Sequence, residues 1–372
     1  MRYHRAGGSL SDQIRQHRAL EAARPSSTRS EVQEDEAEML PSPPDYNPLI
    51  RGSTSMRRNL TLSLGPYDKP RRILHGHNFT YVVTAHGTID QVSTSALKFD
   101  RNLRSSSSPF QEFVDDACML SHQGDPIIIL GHAREQNQIA FLSLDHGQVS
   151  RHVTLHRDWN TAKKPGVSAM TSLMSPLKFA SGGYDHRVHL WDIAQDLSGA
   201  SGVELAIKHT SLIHSLLPVM DTSHKLVSVG ADCDVPIYDM SAERVEQILK
   251  TSCTPYHAHN IDSRSCTLLE VSHLETQFEV RDHRILNQAV QRFGFLVEEK
   301  RGRFEKAESW SHFVACGDRS GAVHLWDLRN VSTEVGLRQC FNDPVIQVVH
   351  TGPRLLACSR RNELACINFL GE

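Results

Sequence analysis

The sequence predicts an all-β fold of many short strands, preceded by an N-terminal tail with no core of its own. Three observations carry this. From residue 59 onward, short apolar stretches alternate with Gly, Ser, Asp and His turns every 8–12 residues, with no long helical period. Three segments of that region share one pattern. The first 58 residues contain no Phe, Trp or Cys, yet hold five of the sixteen prolines.

The tail comes first in chain order. Leu10–Arg24 suits one short helix: Ser9 or Ser11 can cap it, and Ile14, Leu20 and Ala23 recur at helical spacing. An acidic run, Glu31–Glu38, and a proline cluster, Pro41–Pro48, follow. Such a segment buries too little apolar surface to offset its ordering entropy, so residues 1–58 are expected to be mostly disordered. The basic residues Arg51, Arg57, Arg58, Lys69, Arg71 and Arg72, with the run Ser105–Ser108, read as a solvated linker, or as pointing to phosphorylation or an acidic partner.

The repeat is the strongest signal. Residues 179–193 read FASGGYDHRVHLWDI, residues 226–240 read LVSVGADCDVPIYDM, and residues 314–328 read VACGDRSGAVHLWDL. Each is a strand, a tight polar turn and a second strand closing in Trp191-Asp192, Tyr238-Asp239 or Trp326-Asp327. The turn acids Asp185 and Asp232 each stand three residues before a strand valine, Val188 or Val235.

This pattern resembles the WD40 repeat, and the resemblance implies a β-propeller. It also implies a buried polar tetrad. His209 (after Lys208), Ser228, Asp232 and Tyr238 match it almost fully, while Ser181, Asp185 and Trp191 match it without a preceding Gly-His. Cys316 and Ser320 replace the Ser and Asp in the third segment. Inside a blade such groups satisfy one another, since each unpaired polar group costs about 1–3 kcal/mol, so they are expected to be structural and not catalytic.

Weaker repeats fill the gaps. Phe99, Leu142, Arg281 and Asn368 read as further closing positions, with steps of 42 to 49 residues along the whole series. Blades of about 40–45 residues then make residues 59–372 a seven-bladed ring. The chain stops at Glu372 with no residues left for the last outer strand. Asn59–Leu64 (NLTLSL) alternates with strand period and is expected to close the ring against Ala365–Phe369, with Arg72–His75 as the fallback.

Composition narrows the function classes. Net charge is −3, so there is no global basic field and nucleic acid is not an expected partner. The longest apolar run, Pro126–Leu130, falls far short of the roughly 18 residues of a membrane helix. No apolar h-region opens the chain, so a secretory signal is not expected and the cytoplasm, the nucleus or both are. The eight cysteines show no CxxC spacing and read as reduced thiols. The pairs His75/His77 and His257/His259 have no neighbouring carboxylate or Cys cluster, so no metal site and no cofactor is expected. No phosphate-binding, nucleophile-elbow or zinc-protease motif occurs, and pairs such as Asp115-Asp116 read as turn residues, so no catalytic residue is assigned and the chain is expected not to be an enzyme.

Partner signals remain. Trp326-Asp327-Leu328-Arg329 resembles the WDxR box by which WD40 substrate receptors dock on the propeller adaptor of cullin-RING ubiquitin ligases. Asp282 and Arg284 repeat the Asp and Arg one blade earlier, without the Trp. Pro43-Pro44-Asp45-Tyr46 matches the PPxY ligand of WW domains. Glu298–Lys306 (EEKRGRFEK) reads as a projecting solvated turn, and Trp159 and Trp310, which close no blade, as candidate contact aromatics. The expected function is a protein-interaction scaffold, sharpened by the box to a ubiquitin-ligase substrate receptor. A constitutive subunit of a chromatin or RNA-processing complex, and a propeller enzyme working at a central channel, stand as alternatives.

Overall fold

The computed structural model describes residues 56–61, 68–76, 78–93, 98–103, 113–133, 137–145, 148–219, 224–285, 288–352 and 354–368. The proposed helix at 10–24, the acidic run, Pro43, Pro44 and Tyr46, Arg51 and Ser105–Ser108 lie outside them. Among the described residues the chain forms seven four-stranded antiparallel sheets, the blades of a β-propeller. In every blade the strands follow one another from the innermost outward, except that the outer strand of blade 7 comes from the start of the chain.

A single blade cannot bury both of its faces, and the ring solves this by stacking them. Seven apolar clusters result among the described residues, one at each seam between neighbouring blades. The apolar run Ile127–Leu130 shows the logic. It lies on the second strand of blade 2, Asp125–His132, with Ile127 and Ile129 facing the blade 3 side and Ile128 and Leu130 facing blade 1.

Closure runs through Met56–Thr61, which pairs antiparallel with Glu363–Asn368, and Leu60 packs on the seam between blades 7 and 1. The strand starts earlier than Asn59–Leu64 suggested, at Met56, and carries a register shift between Arg57 and Leu60, while Leu62–Leu64 lie outside the described residues. Arg72–His75, the fallback closer, belongs instead to the inner strand of blade 1, Pro70–His75.

Two closing positions are corrected. Lys98–Asn102, with Phe99, is the outer strand of blade 1, and the third strand is Ile89–Ser93 with Val92 at the place of Trp191. In blade 7, Leu355 pairs with Ile367 as Phe179 pairs with Trp191, so Ile367 closes that blade and Asn368 follows it.

The inner strands are built to be tied together. In six blades the inner strand carries a register shift near its start. A bulge leaves backbone groups without a ladder partner. Side chains of the preceding blade also bond inner-strand backbone across the seams: Asp116 of blade 2 accepts from the Met170 N–H of blade 3 at 2.8 Å, Gln347 of blade 7 from Ile73 of blade 1 at 2.9 Å, and Glu270 of blade 5 from Ala307, just before the inner strand of blade 6, at 2.8 Å.

Asp115 and Asp116 are therefore not turn residues. They sit buried on the inner strand of blade 2, Val114–His122, with Asp116 paired to Arg72 of blade 1. Arg72 is correspondingly buried and not part of a solvated linker. Strand periodicity hides such groups because the pairing comes from another blade.

Only the start of Glu298–Lys306 is solvated: Glu298, Glu299 and Lys300 are exposed, and from Arg301 onward the segment turns inward. It links the outer strand of blade 5, Gln291–Phe293, to the inner strand of blade 6, Glu308–Trp310. Yet Phe304 meets Arg71 of blade 1, Arg303 meets Asp115 of blade 2 and Tyr184 of blade 3, and Lys306 bonds to Ile346 of blade 7. A loop that starts at blade 5 and touches blades 1, 2, 3 and 7 lies across the ring interior. Charge balance explains the course: Arg301 is buried against Glu270 at 3.1 Å, and Arg303 pairs with Asp115 at 2.9 Å.

Candidate functional site

Strand direction divides the loops between two faces. The upper face carries the loops entering the inner strands and those joining second to third strands. The lower face carries the first-to-second and third-to-fourth turns.

The polar set of blade 4 is assembled inside the sheet. His209 Nε2 lies 2.9 Å from Ser228 Oγ, and Nδ1 lies 3.1 Å from Asp232. The order Ser, His, Asp has the outline of a hydrolytic triad, but Ser228 is 0% exposed. A nucleophile that no substrate reaches is a structural group. Burial opposes ionisation of Asp232, but the Thr210 N–H and His209 hold its carboxyl below the usual range. Tyr238 is buried, which pushes its phenol up, and its hydroxyl meets the Ala206 backbone.

Blade 3 uses different chemistry. Trp191 Nε1 donates to Ser181 Oγ at 2.9 Å. Asp185 is met not by a histidine but by Arg157, at 2.6 Å. His156-Arg157 stands in the loop where blade 4 has Lys208-His209. Arg157 also donates to His189 Nδ1 at 3.0 Å and to Gln138 Oε1 at 3.3 Å. Burial, with Arg157 beside it, pushes His189 down to about 4, so the ring stays neutral and accepts. Arg157 carries no Gly-His signature, so the sequence pattern does not mark it.

In blade 6 the cluster moves toward the surface. Cys316 is buried, and Ser320 hydrogen-bonds Asp318 at 2.7 Å. His324 lies 3.3 Å from Asp318 and 3.1 Å from Glu334, stacked on Phe295 at 3.9 Å.

The two Asp-x-Arg elements lie on the lower face, in the third-to-fourth turns of adjacent blades 5 and 6. Their geometries match. Asp282 accepts from the Arg284 N–H at 2.9 Å, from Nε at 2.9 Å and from an Nη at 2.7 Å. Asp327 accepts from the Arg329 N–H at 2.9 Å, from Nε at 3.0 Å and from an Nη at 2.6 Å. Each aspartate therefore caps its own turn and grips the guanidinium from one side. The Arg284 side chain remains 74% exposed and that of Arg329 55%. The Arg284 bonds hold the Asp282 carboxyl down to about 2. Ile285 and Val290 are exposed on the same turn as Arg284.

Trp310 is no free contact aromatic: it stacks on His350 at 4.7 Å and packs against the seam between blades 6 and 7. Trp159 is half-buried in the loop entering blade 3. The cysteines among the described residues carry free thiols, and burial raises those of Cys316 and Cys358 to about 12. Among the described residues no group of three or more His, Cys, Asp and Glu has the geometry to hold a metal ion, although His257 and His259 share a strand.

Inside the ring, Glu308 is pushed up to about 7 by burial, partly offset by Lys306. Burial in turn lowers the Lys306 ammonium.

Among the described residues no helix is long and apolar enough to cross a membrane. No protein-family model matches the chain, and no curated protein matches it. The architecture itself identifies the fold: a seven-bladed β-propeller of small antiparallel sheets, consistent with a WD40-repeat propeller and with protein interaction as its general role.

Proposed function

We propose that this protein is a non-enzymatic interaction scaffold, and that its lower face docks on the adaptor of a cullin-RING ubiquitin ligase through Arg284 and Arg329. One observation carries the reading: two adjacent blades hold the same Asp-x-Arg turn, each arginine gripped by its own aspartate and still exposed. An arginine fixed before binding loses less entropy on docking. Exposed Ile285 and Val290 beside Arg284 add the apolar contact that interface anchors use. Substrates would be proteins, and the site of action the cytoplasm, the nucleus or both.

The covered ring interior supports the non-enzymatic part, since the loop Glu298–Lys306 spends its cations on Glu270 and Asp115. The segment Pro43-Pro44-Asp45-Tyr46 would add a WW-domain partner, independently of the ring.

The test is a pull-down of the ligase adaptor with the wild-type chain and with Arg284→Ala plus Arg329→Ala. Loss of adaptor from the variant, with an unchanged melting temperature, supports docking. Equal recovery from both sinks it. Proximity labelling that returns a nuclear complex without ligase subunits would favour the constitutive-subunit alternative.

A further inference from the structure

The upper face of blades 1 to 3 carries a ladder of cations and rings. The Arg71 guanidinium lies 3.7 Å from the Phe304 ring centre, and that of Arg303 lies 4.5 Å from the same ring. Arg303 also lies 5.4 Å from the Tyr184 ring, over which Lys164 Nζ sits at 4.4 Å. Three cations thus interleave with two rings contributed by blade 1, the crossing loop, and the two loops of blade 3 at residues 156–166 and 184–187.

The charges are unequally compensated. Arg303 is engaged by Asp115 at 2.9 Å and by the Tyr184 hydroxyl at 2.6 Å. Arg71 and Lys164 have no carboxylate partner among the described residues, nor has Lys163 beside Lys164. The Nε of Arg71 is buried with no hydrogen-bond acceptor. Burial lowers the Arg71 guanidinium, the Asp115 charge opposes this, and the like charges of Arg72 and Arg303 add to it. A half-buried guanidinium with no carboxylate in direct contact among the described residues keeps hydrogen-bonding capacity for a further anion.

We propose that this ladder is a docking surface for an acidic peptide, with Arg71 and Lys164 as its cationic contacts and Arg303 as the residue that positions the rings between them. The Phe304 contact holds Arg71 in place, and a guanidinium offers paired N–H donors that suit carboxylate or phosphate. Each ring already carries two cations, which leaves little face for a nucleobase, so the ligand is an anionic chain and not a stacked nucleic acid. The chained contact distances set an upper bound on the span that about five extended residues cover. This surface lies on the face opposite Arg284 and Arg329, and the inference does not rest on the docking reading above.

The experiment is fluorescence anisotropy with the full chain and three labelled peptides of about twelve residues: alternating Glu and Ser, the same with phosphoserine, and the same with Gln for Glu. The first two bind, the third does not, and added salt weakens binding. The first two peptides compared with each other separate carboxylate from phosphate recognition. Arg71→Gln plus Lys164→Gln weakens both acidic peptides by about tenfold or more. Lys164→Glu alone weakens them at an exposed site that does not load the fold. Arg284→Ala plus Arg329→Ala leaves the affinities unchanged. The proposal is overturned if the Gln peptide binds as well, if the Arg71 and Lys164 variants bind like the wild type, or if single-stranded RNA of equal charge binds more tightly and displaces the peptide.

Discussion

Arg157 and Asp185 form an ion pair sealed inside blade 3, 2.6 Å apart with neither side chain exposed. The pair occupies the place that His209 and Asp232 hold in blade 4. An arginine cannot give up its proton there, so the charge is permanent and must be matched by Asp185, Gln138, His189 and the Arg187 carbonyl together.

This predicts an asymmetric response to mutation. Arg157→Met leaves Asp185 buried without its cation and costs about 3–5 kcal/mol. Adding Asp185→Leu to it restores much of that loss, because two apolar groups leave no stranded charge. Urea denaturation of the wild type, the single and the double variant measures both. Equal loss in single and double would show that shape, not charge, holds the site.

Much of the ring was legible because its repeats announce themselves. Trp191, Tyr238 and Trp326 end strands of one pattern, and the spacing between them counts blades. Blade 1 hides its closing position because its third strand, Ile89–Ser93, buries Asp90 and Gln91, which break the apolar alternation. Blade 7 was misread by one residue because Ala365, Cys366 and Ile367 form a continuous apolar run without phase. The charged interior was not legible at all. Asp115 finds Arg303 across 188 residues, and nothing local to either marks them as buried. Asp282 and Arg284 were legible as a motif, and the structure adds that they repeat the bonds of Asp327 and Arg329.

Glu308 gives the ring interior a pH dependence. Its folded value is raised to about 7 from an ordinary 4.5, so the folded state favours the neutral carboxyl. The stability this group allows is fully present below pH 4.5 and is lost as pH rises through about 7. Glu308→Gln removes that loss, on the order of 1–3 kcal/mol at pH 8. Melting curves at pH 5 and pH 8 test it: the variant gains at pH 8 and little at pH 5. A gain of equal size at both values would assign the effect to packing.

Ring closure rests on six residues from one end of the chain. A protein starting at residue 56 retains Met56–Thr61, and one starting at residue 68 lacks it. The second exposes the edge of Glu363–Asn368, a row of unpaired backbone groups. The shorter protein should melt lower and associate in a concentration-dependent way on size-exclusion chromatography, while the longer one stays monodisperse. Matching profiles would mean that the ring holds without its closing strand.

The grip of Asp282 on Arg284 makes a last prediction about docking. If the exposed arginines anchor a partner, their aspartates act as positioning residues, and Asp282→Asn plus Asp327→Asn should weaken adaptor binding several-fold without removing either arginine. The mechanism is loss of order: an amide keeps the cap to the turn N–H but no longer holds two guanidinium donors as a carboxylate does. Binding measured by surface plasmon resonance should show the loss mainly in the association rate, since fewer arginines are pre-set when the surfaces meet. With Asp282 held near 2, the wild-type grip persists throughout pH 5 to 8, so adaptor affinity stays flat there in the wild type and in the Asn variants alike. A pH-dependent affinity in the wild type alone would mean that the aspartates titrate in this range and would overturn the persistent clamp, whereas the same dependence in both would place another titrating group at the interface.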